Sequence, residues 1–170
     1  MVAIHIAYTS PINSSSGPKS EPQLTIEQVW AGLQRKIRHG DEFVPVIESC
    51  DVISEYDDPK SGNHIVEREA VFKPGTGPSG KVKEVCESFG QTRVDFHQMN
   101  GSLVMNLISR GPDGELFMTY SFDWLHPEVD EGDSEKVEEL RKRYTEGATG
   151  AVENSIKSIR EMVVDGRIKV

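Results

Sequence analysis

The stretch that most constrains this chain runs over 134–164, close to its end. Apolar or small side chains recur there at Val137, Leu140, Tyr144, Ala148, Ala151, Val152, Ser155, Ile159, Met162 and Val163. Steps of three and four residues put them on one stripe of a helix. Asp133 or Ser134 can cap its start, Glu135 and Glu138 suit the positive end of its dipole, and Gly166 offers a stop. A helix of about 30 residues is roughly 45 Å long, so its stripe needs a broad partner.

The middle of that helix is unusual. Gly147, Ala148, Thr149, Gly150 and Ala151 form a patch of small residues. Each interior glycine costs a helix about 1 kcal/mol relative to alanine. Two readings stand: the patch lets a neighbour pack closely or kinks the helix, or it leaves volume beneath the helix for a ligand.

The rest of the chain supplies the partner. Residues 2–9 read as a strand, and 10–23, rich in Ser, Pro and Gly, as a loop. Thr25 and Gln28 form a capping box for a short helix with Val29, Trp30, Leu33 and Ile37 on its apolar face, ended by Gly40. Phe43 to Val46 is a short apolar connection expected to tuck under a sheet. The period then becomes two. Strands are expected at 48–56, 64–73, 81–88, 92–99, 102–110 and 115–124, separated by turn signals such as Asn100-Gly101 and Gly111-Pro112-Asp113-Gly114. Six successive strands form an antiparallel meander, with the first strand at its end. Leu116, Met118, Tyr120, Phe122 and Trp124 alternate with polar residues; so do Leu103, Met105 and Leu107, and Val94 and Phe96. All of these are expected to face the long helix. The fold class is α+β: one helix-grip domain over 1–170, about seven antiparallel strands curved around a long C-terminal helix, with a short helix after strand 1.

Bulk properties narrow the partners. The 170 residues carry a net charge of −9, which argues against nucleic acid or an anionic membrane surface. No apolar run approaches the ~18 residues that span a bilayer. Met1 to Ile6 alternates like a strand rather than forming a signal peptide. Cys50 and Cys86 fall inside expected strands as small core residues, which suits a reducing, cytoplasmic setting. Asn13-Ser14-Ser15 and Asn100-Gly101-Ser102 match the glycosylation sequon, which carries little weight in that setting.

The order strand, helix, six-stranded meander and long helix resembles the birch-pollen-allergen/START-like (SRPBCC) superfamily. Within it, three segments look like the signatures of a small family of unknown function in bacteria and fungi. They are Pro11-Ile12-Asn13 with 24–33, Arg68-Glu69 with Phe72, and 158–167. That family includes a protein encoded with the acetylaranotin pathway. The resemblance implies the fold and no particular activity. Inserted residues within 14–23 and 73–80 set the loops near the cavity mouth apart.

Each candidate site also has a plain structural role. Residues 75–80 spell G-x-G-x-x-G, but a strand pattern follows where a dinucleotide site needs a helix, and Pro78 lacks an N–H. His5, His39, His64, His97 and His126 are scattered, so no metal is expected. No G-x-S-x-G elbow is present. Arg68 shares a strand face with Val66, Ala70 and Phe72. If that face is inward, Arg68 is either a structural ion pair with Glu84 or Glu55, or a clamp for a ligand's oxyanion. A register shifted by one turns Glu67 and Glu69 inward instead, where a carboxylate could serve as a general base. Tyr120 and Tyr144 are either satisfied core phenols or groups that polarise a ligand carbonyl.

These residues support two functions. The first is binding of a small hydrophobic or aromatic metabolite between sheet and helix, with Trp30, Arg68, Phe96, Met105, Met118, Tyr120, Phe122, Tyr144 and Ala148 as lining. The second is a cyclase, isomerase or dehydratase of secondary metabolism that uses no cofactor. In it Arg68 steadies oxyanion charge while Glu69 or Tyr120 moves a proton. A protein–protein adaptor would need an exposed apolar patch, which the sequence does not display.

Overall fold

A computed structural model describes residues 1–13, 21–75 and 80–170. The chain runs β1 (Val2–Pro11), α1 (Ile26–Arg38), a 3-10 turn (Gly40–Glu42), β2 (Ile47–Asp57), β3 (His64–Phe72), β4 (Lys81–Phe89), β5 (Arg93–Gln98), β6 (Leu103–Arg110), β7 (Leu116–His126) and α2 (Ser134–Val164). All seven strands form one antiparallel sheet in the order β1-β7-β6-β5-β4-β3-β2. β1 pairs with β7 along its whole length, so the first strand closes the end of the meander. Most of the G-x-G-x-x-G run, 76–79, lies outside the described residues, as does 14–20 of the early loop.

Local chemistry explains the element ends. Thr25 accepts from the Gln28 amide while the Gln28 side chain accepts from the Thr25 amide, closing the capping box of α1. α1 stops at Arg38 with His39 as its cap, and Gly40 opens the 3-10 turn rather than ending the helix itself. Asp133 caps α2 by accepting from the Lys136 amide. Beyond α2, Gly166 sits at φ 81°, a conformation that side chains rarely adopt, and the Ile168 amide turns back onto the Met162 carbonyl.

α2 lays Leu140, Ala148, Val152, Ile156, Ile159 and Met162 against the sheet and α1. β7 alternates as its sequence predicts: Leu116, Met118, Tyr120 and Phe122 are buried on the inner face. β6 does not. Val104, Asn106 and Ile108 pair with Phe122, Tyr120 and Met118, so Leu103, Met105 and Leu107 lie on the outer face. A period-two pattern shifted by one residue swaps the two faces completely, and the more apolar set proved to be the outer one. The buried Asn106 is the unexpected occupant; neither of its amide atoms has a hydrogen-bond partner.

α1 crosses α2 through a glycine. A Cβ added at Gly32 would overlap the side chain of the fully buried Ile159. Gly32→Ala should therefore destabilise the fold by about 1–3 kcal/mol, the usual cost of overpacking. Ile159→Ala in the same chain should recover part of that loss, a sign of direct coupling in a double-mutant denaturation cycle.

Candidate functional site

Between the inner face of the sheet and the middle of α2 lies a cavity of about 280 Å³. β7 contributes Tyr120, Phe122 and Trp124; α2 contributes Tyr144, Gly147, Ala148 and Ala151. Phe96, Val104, Phe72, Val44 and Ile47 complete the apolar wall, while Lys36 of α1, Arg68 of β3, Glu84 of β4 and Gln98 of β5 gather on one side. A Cβ added at Gly147 would meet nothing within 4 Å. Gly147 is exposed at the rim of the cavity, whereas Ala148 is buried in the core, so the small-residue patch both packs against the sheet and borders the hollow.

Of the residues expected to line the cavity, Arg68, Phe96, Tyr120, Phe122, Tyr144 and Ala148 do so. Three are placed elsewhere. Met105 is on the outer face of β6 for the register reason given above. Met118 is fully buried in the packed core rather than against the hollow. Trp30 sits one residue round α1 from Val29 and borders a separate surface groove with Gln34, His64 and Ser88. Glu69 is also misplaced. β3 buries Val66, Arg68 and Ala70 on the inner face, which puts Glu69 outside, paired with Lys81 at 2.8 Å and Lys83 at 3.8 Å. It is not available to the cavity as a base.

Arg68 faces inward, and its fork is largely committed. Nε and Nη2 donate to the Glu84 carboxylate at 2.9 and 2.7 Å. Nη1 donates to the Lys36 and Ile37 carbonyls at 2.9 and 2.8 Å. Those carbonyls belong to the last turn of α1, where helical partners run out. The partner is thus Glu84, whereas Glu55 pairs with Arg38 and His64. Gln98 donates to the other Glu84 oxygen at 3.2 Å. Buried beside Arg68, the Cys86 thiol is pushed up to about 12 by burial and is inert at neutral pH.

The residue that the sequence reading overlooked is Lys36. It lies seven residues after Val29 and three after Leu33, inside the apolar stripe of α1, and is buried with them. That position in the stripe was its signal. Its ammonium donates to the Tyr120 hydroxyl at 3.1 Å and lies 4.2 Å from the centre of the Tyr120 ring. Among the described residues, no Asp or Glu forms an ion pair with it. Burial, helped by the nearby Arg68 charge and only partly opposed by Glu84, lowers its pKa to about 7. Burial likewise pushes the Tyr120 phenol up, and the Ser155 hydroxyl of α2 partly offsets this.

A second polar group lies toward the other end. β7 runs two residues past Trp124 to His126, which pairs with Val2. The Tyr144 hydroxyl and His126 Nε2 are 2.9 Å apart, and His126 Nδ1 is 2.7 Å from Glu128. With the imidazole neutral, the acceptor-only carboxylate places the proton on Nδ1, and Tyr144 donates to Nε2. Phe122, Trp124, Tyr144 and His126 stack in series, with successive centroids 5.7, 5.2 and 5.7 Å apart. Tyr144 and Ser155 are separated along α2 by about 16 Å of rise, so the two phenols serve opposite ends.

A seven-stranded sheet closed over one long helix, with a hollow between them, defines a helix-grip protein. The chain belongs to the acetylaranotin biosynthesis cluster protein L (AtaL) family, whose profile matches residues 6–166. It is 28% identical over 165 residues to acetylaranotin biosynthesis cluster protein L of Aspergillus terreus (strain NIH 2624 / FGSC A1156), covering 97% of this chain and 93% of that one. Its fold is similar to the Zhui aromatase/cyclase from Streptomyces sp. R1128, with a TM-score of 0.64 at 11% identity over 95% of this chain and 96% of that one. It is also similar to Ara h 8.0201, with a TM-score of 0.51 at 13% identity over 96% and 99%. Among the described residues, no helix is long and apolar enough to cross a membrane.

Two outcomes follow from the polar end. Arg68→Ala leaves Glu84 buried and unpaired and strips two carbonyls of their donor, so it should destabilise the chain by about 3–5 kcal/mol in denaturant titration. Lys36 has a folded pKa below its unfolded value of about 10.4, so between the two values the unfolded chain binds more protons and stability rises with pH. Below pH 7 the penalty is complete, and above about pH 10.4 it vanishes. The native chain should therefore gain a few kcal/mol between pH 7 and 10 relative to Lys36→Met, read as the difference between their pH–stability curves.

Proposed function

We propose that this protein binds a small hydrophobic or aromatic metabolite in the cavity between the sheet and α2. The observation that carries the reading is the wall itself. Aromatic and small apolar side chains surround a volume that fits a one- or two-ring compound, and a few polar groups are confined to its ends. The small side chains of Ala148 and Ala151 support it further, because they border that volume from the α2 side. The aromatase/cyclases among the fold neighbours, and the biosynthetic cluster of the Aspergillus relative, are consistent with a metabolite as the occupant.

The second reading is a cyclase, isomerase or dehydratase that works by general acid–base chemistry. One observation favours it: a buried amine that ionises near neutrality is hydrogen-bonded to a phenol in the cavity wall. In this version Lys36 and Tyr120 take the proton-handling part. Arg68 acts by fixing the end of α1 rather than by touching the substrate, since Glu84 and the helix carbonyls occupy its donors.

Ala148→Phe tests the cavity. Ala148 is buried and borders the hollow from α2, so the added ring should fill it. Native mass spectrometry of the wild-type chain from its own host should show a bound small molecule. The variant should remain folded and lack it. A variant that carries the same bound mass would contradict the reading.

A further inference from the structure

Lys36 is placed as a nucleophile rather than as a structural cation. Its amine reaches the cavity wall, contacts the rings of Tyr120 and Phe96, and has Tyr120 as its hydrogen-bond partner. A permanent ammonium in such a place would be left with unmet donors, which is costly in an apolar setting. The Arg68 cation disfavours the charged amine more than Glu84 favours it, and the same guanidinium holds the main-chain carbonyl of Lys36. An amine desolvated among apolar groups and next to another cation is the arrangement that exposes a lysine lone pair at neutral pH. We propose that Lys36 forms an imine with an aldehyde or ketone ligand held in this cavity, with Tyr120 as the proton donor to the carbonyl oxygen. The proposal rests on the cavity reading above and names its ligand class.

The chemistry closes without a redox partner. The Lys36 lone pair attacks the carbonyl carbon, and the π pair moves to oxygen, which takes the Tyr120 proton. The new ammonium returns a proton to the phenolate, giving a neutral carbinolamine. Tyr120 then protonates the hydroxyl, the C–O bond breaks, water leaves, and the nitrogen pair closes C=N. Loss of the nitrogen proton to the phenolate restores the phenol. One carbonyl and one amine have become one imine and one water.

The test uses the intact chain with 3-phenylpropanal and 4-phenylbutan-2-one as probes and sodium cyanoborohydride as the trapping hydride. Peptide mapping should find the secondary amine at Lys36 at least 10-fold above any surface lysine at pH 7.5. The charged and titratable groups facing Lys36 are Arg68 from β3, Glu84 and Cys86 from β4, and Tyr120 from β7, with Tyr144 from α2 bordering the same cavity. In that setting labelling at Lys36 should rise through pH 7, while surface lysines rise about three units higher. Saturation-transfer NMR on the same samples reports entry of the probe independently of trapping. Probe bound with Lys36 unlabelled overturns the imine and leaves the cavity reading standing. No binding and no labelling removes both.

Discussion

The cavity depends on the contact between Arg68 and the end of α1. One guanidinium joins β3 to the Glu84 carboxylate on β4 and to the Lys36 and Ile37 carbonyls in the last turn of α1. The ion pair is buried, so its Coulombic gain is spent largely on desolvation. Its value is positional. It fixes where α1 stops, and since one of the carbonyls it holds is that of Lys36, it also fixes where the amine enters the cavity.

Seen from that contact, the two helices have different tasks. α1 is clamped to α2 through Gly32 and Ile159, with no space left between them. Before that crossing α2 runs through its small residues, and the hollow opens beneath them. One long helix thus seals the core with Val152, Ile156, Ile159 and Met162, and roofs a cavity with Gly147, Ala148 and Ala151. The walls are rigid aromatic rings in series, which suits a flat guest, and polar groups remain only at the ends.

Much of this was legible in the sequence, and the failures have definite causes. The 3.6-residue stripe of α2 and the alternation of β7 are long patterns, and each holds in the structure. β6 is short, and both of its faces are apolar enough to pass for the inner one. Its register is settled by pairing with β7, which buries the polar Asn106 and exposes the Met105 face. At Arg68 and Glu69 the pattern left both registers open, and the salt bridges to Lys81 and Lys83 show which residue faces outward. Lys36 is hard to find from sequence because a charged side chain normally faces solvent, although its place in the α1 stripe says otherwise. The Tyr144–His126–Glu128 series needed β7 to reach two residues beyond its apparent end.

The central claim is that an apolar hollow persists under α2 in the folded protein. Apolar cavities of this size take up xenon, which makes crystals under xenon pressure the most direct measurement. The account predicts a xenon atom between Phe122 of β7 and Ala148 of α2, with the surrounding side chains unmoved. Xenon absent from that place, with Trp124 or Tyr144 swung inward to fill it, would contradict the account.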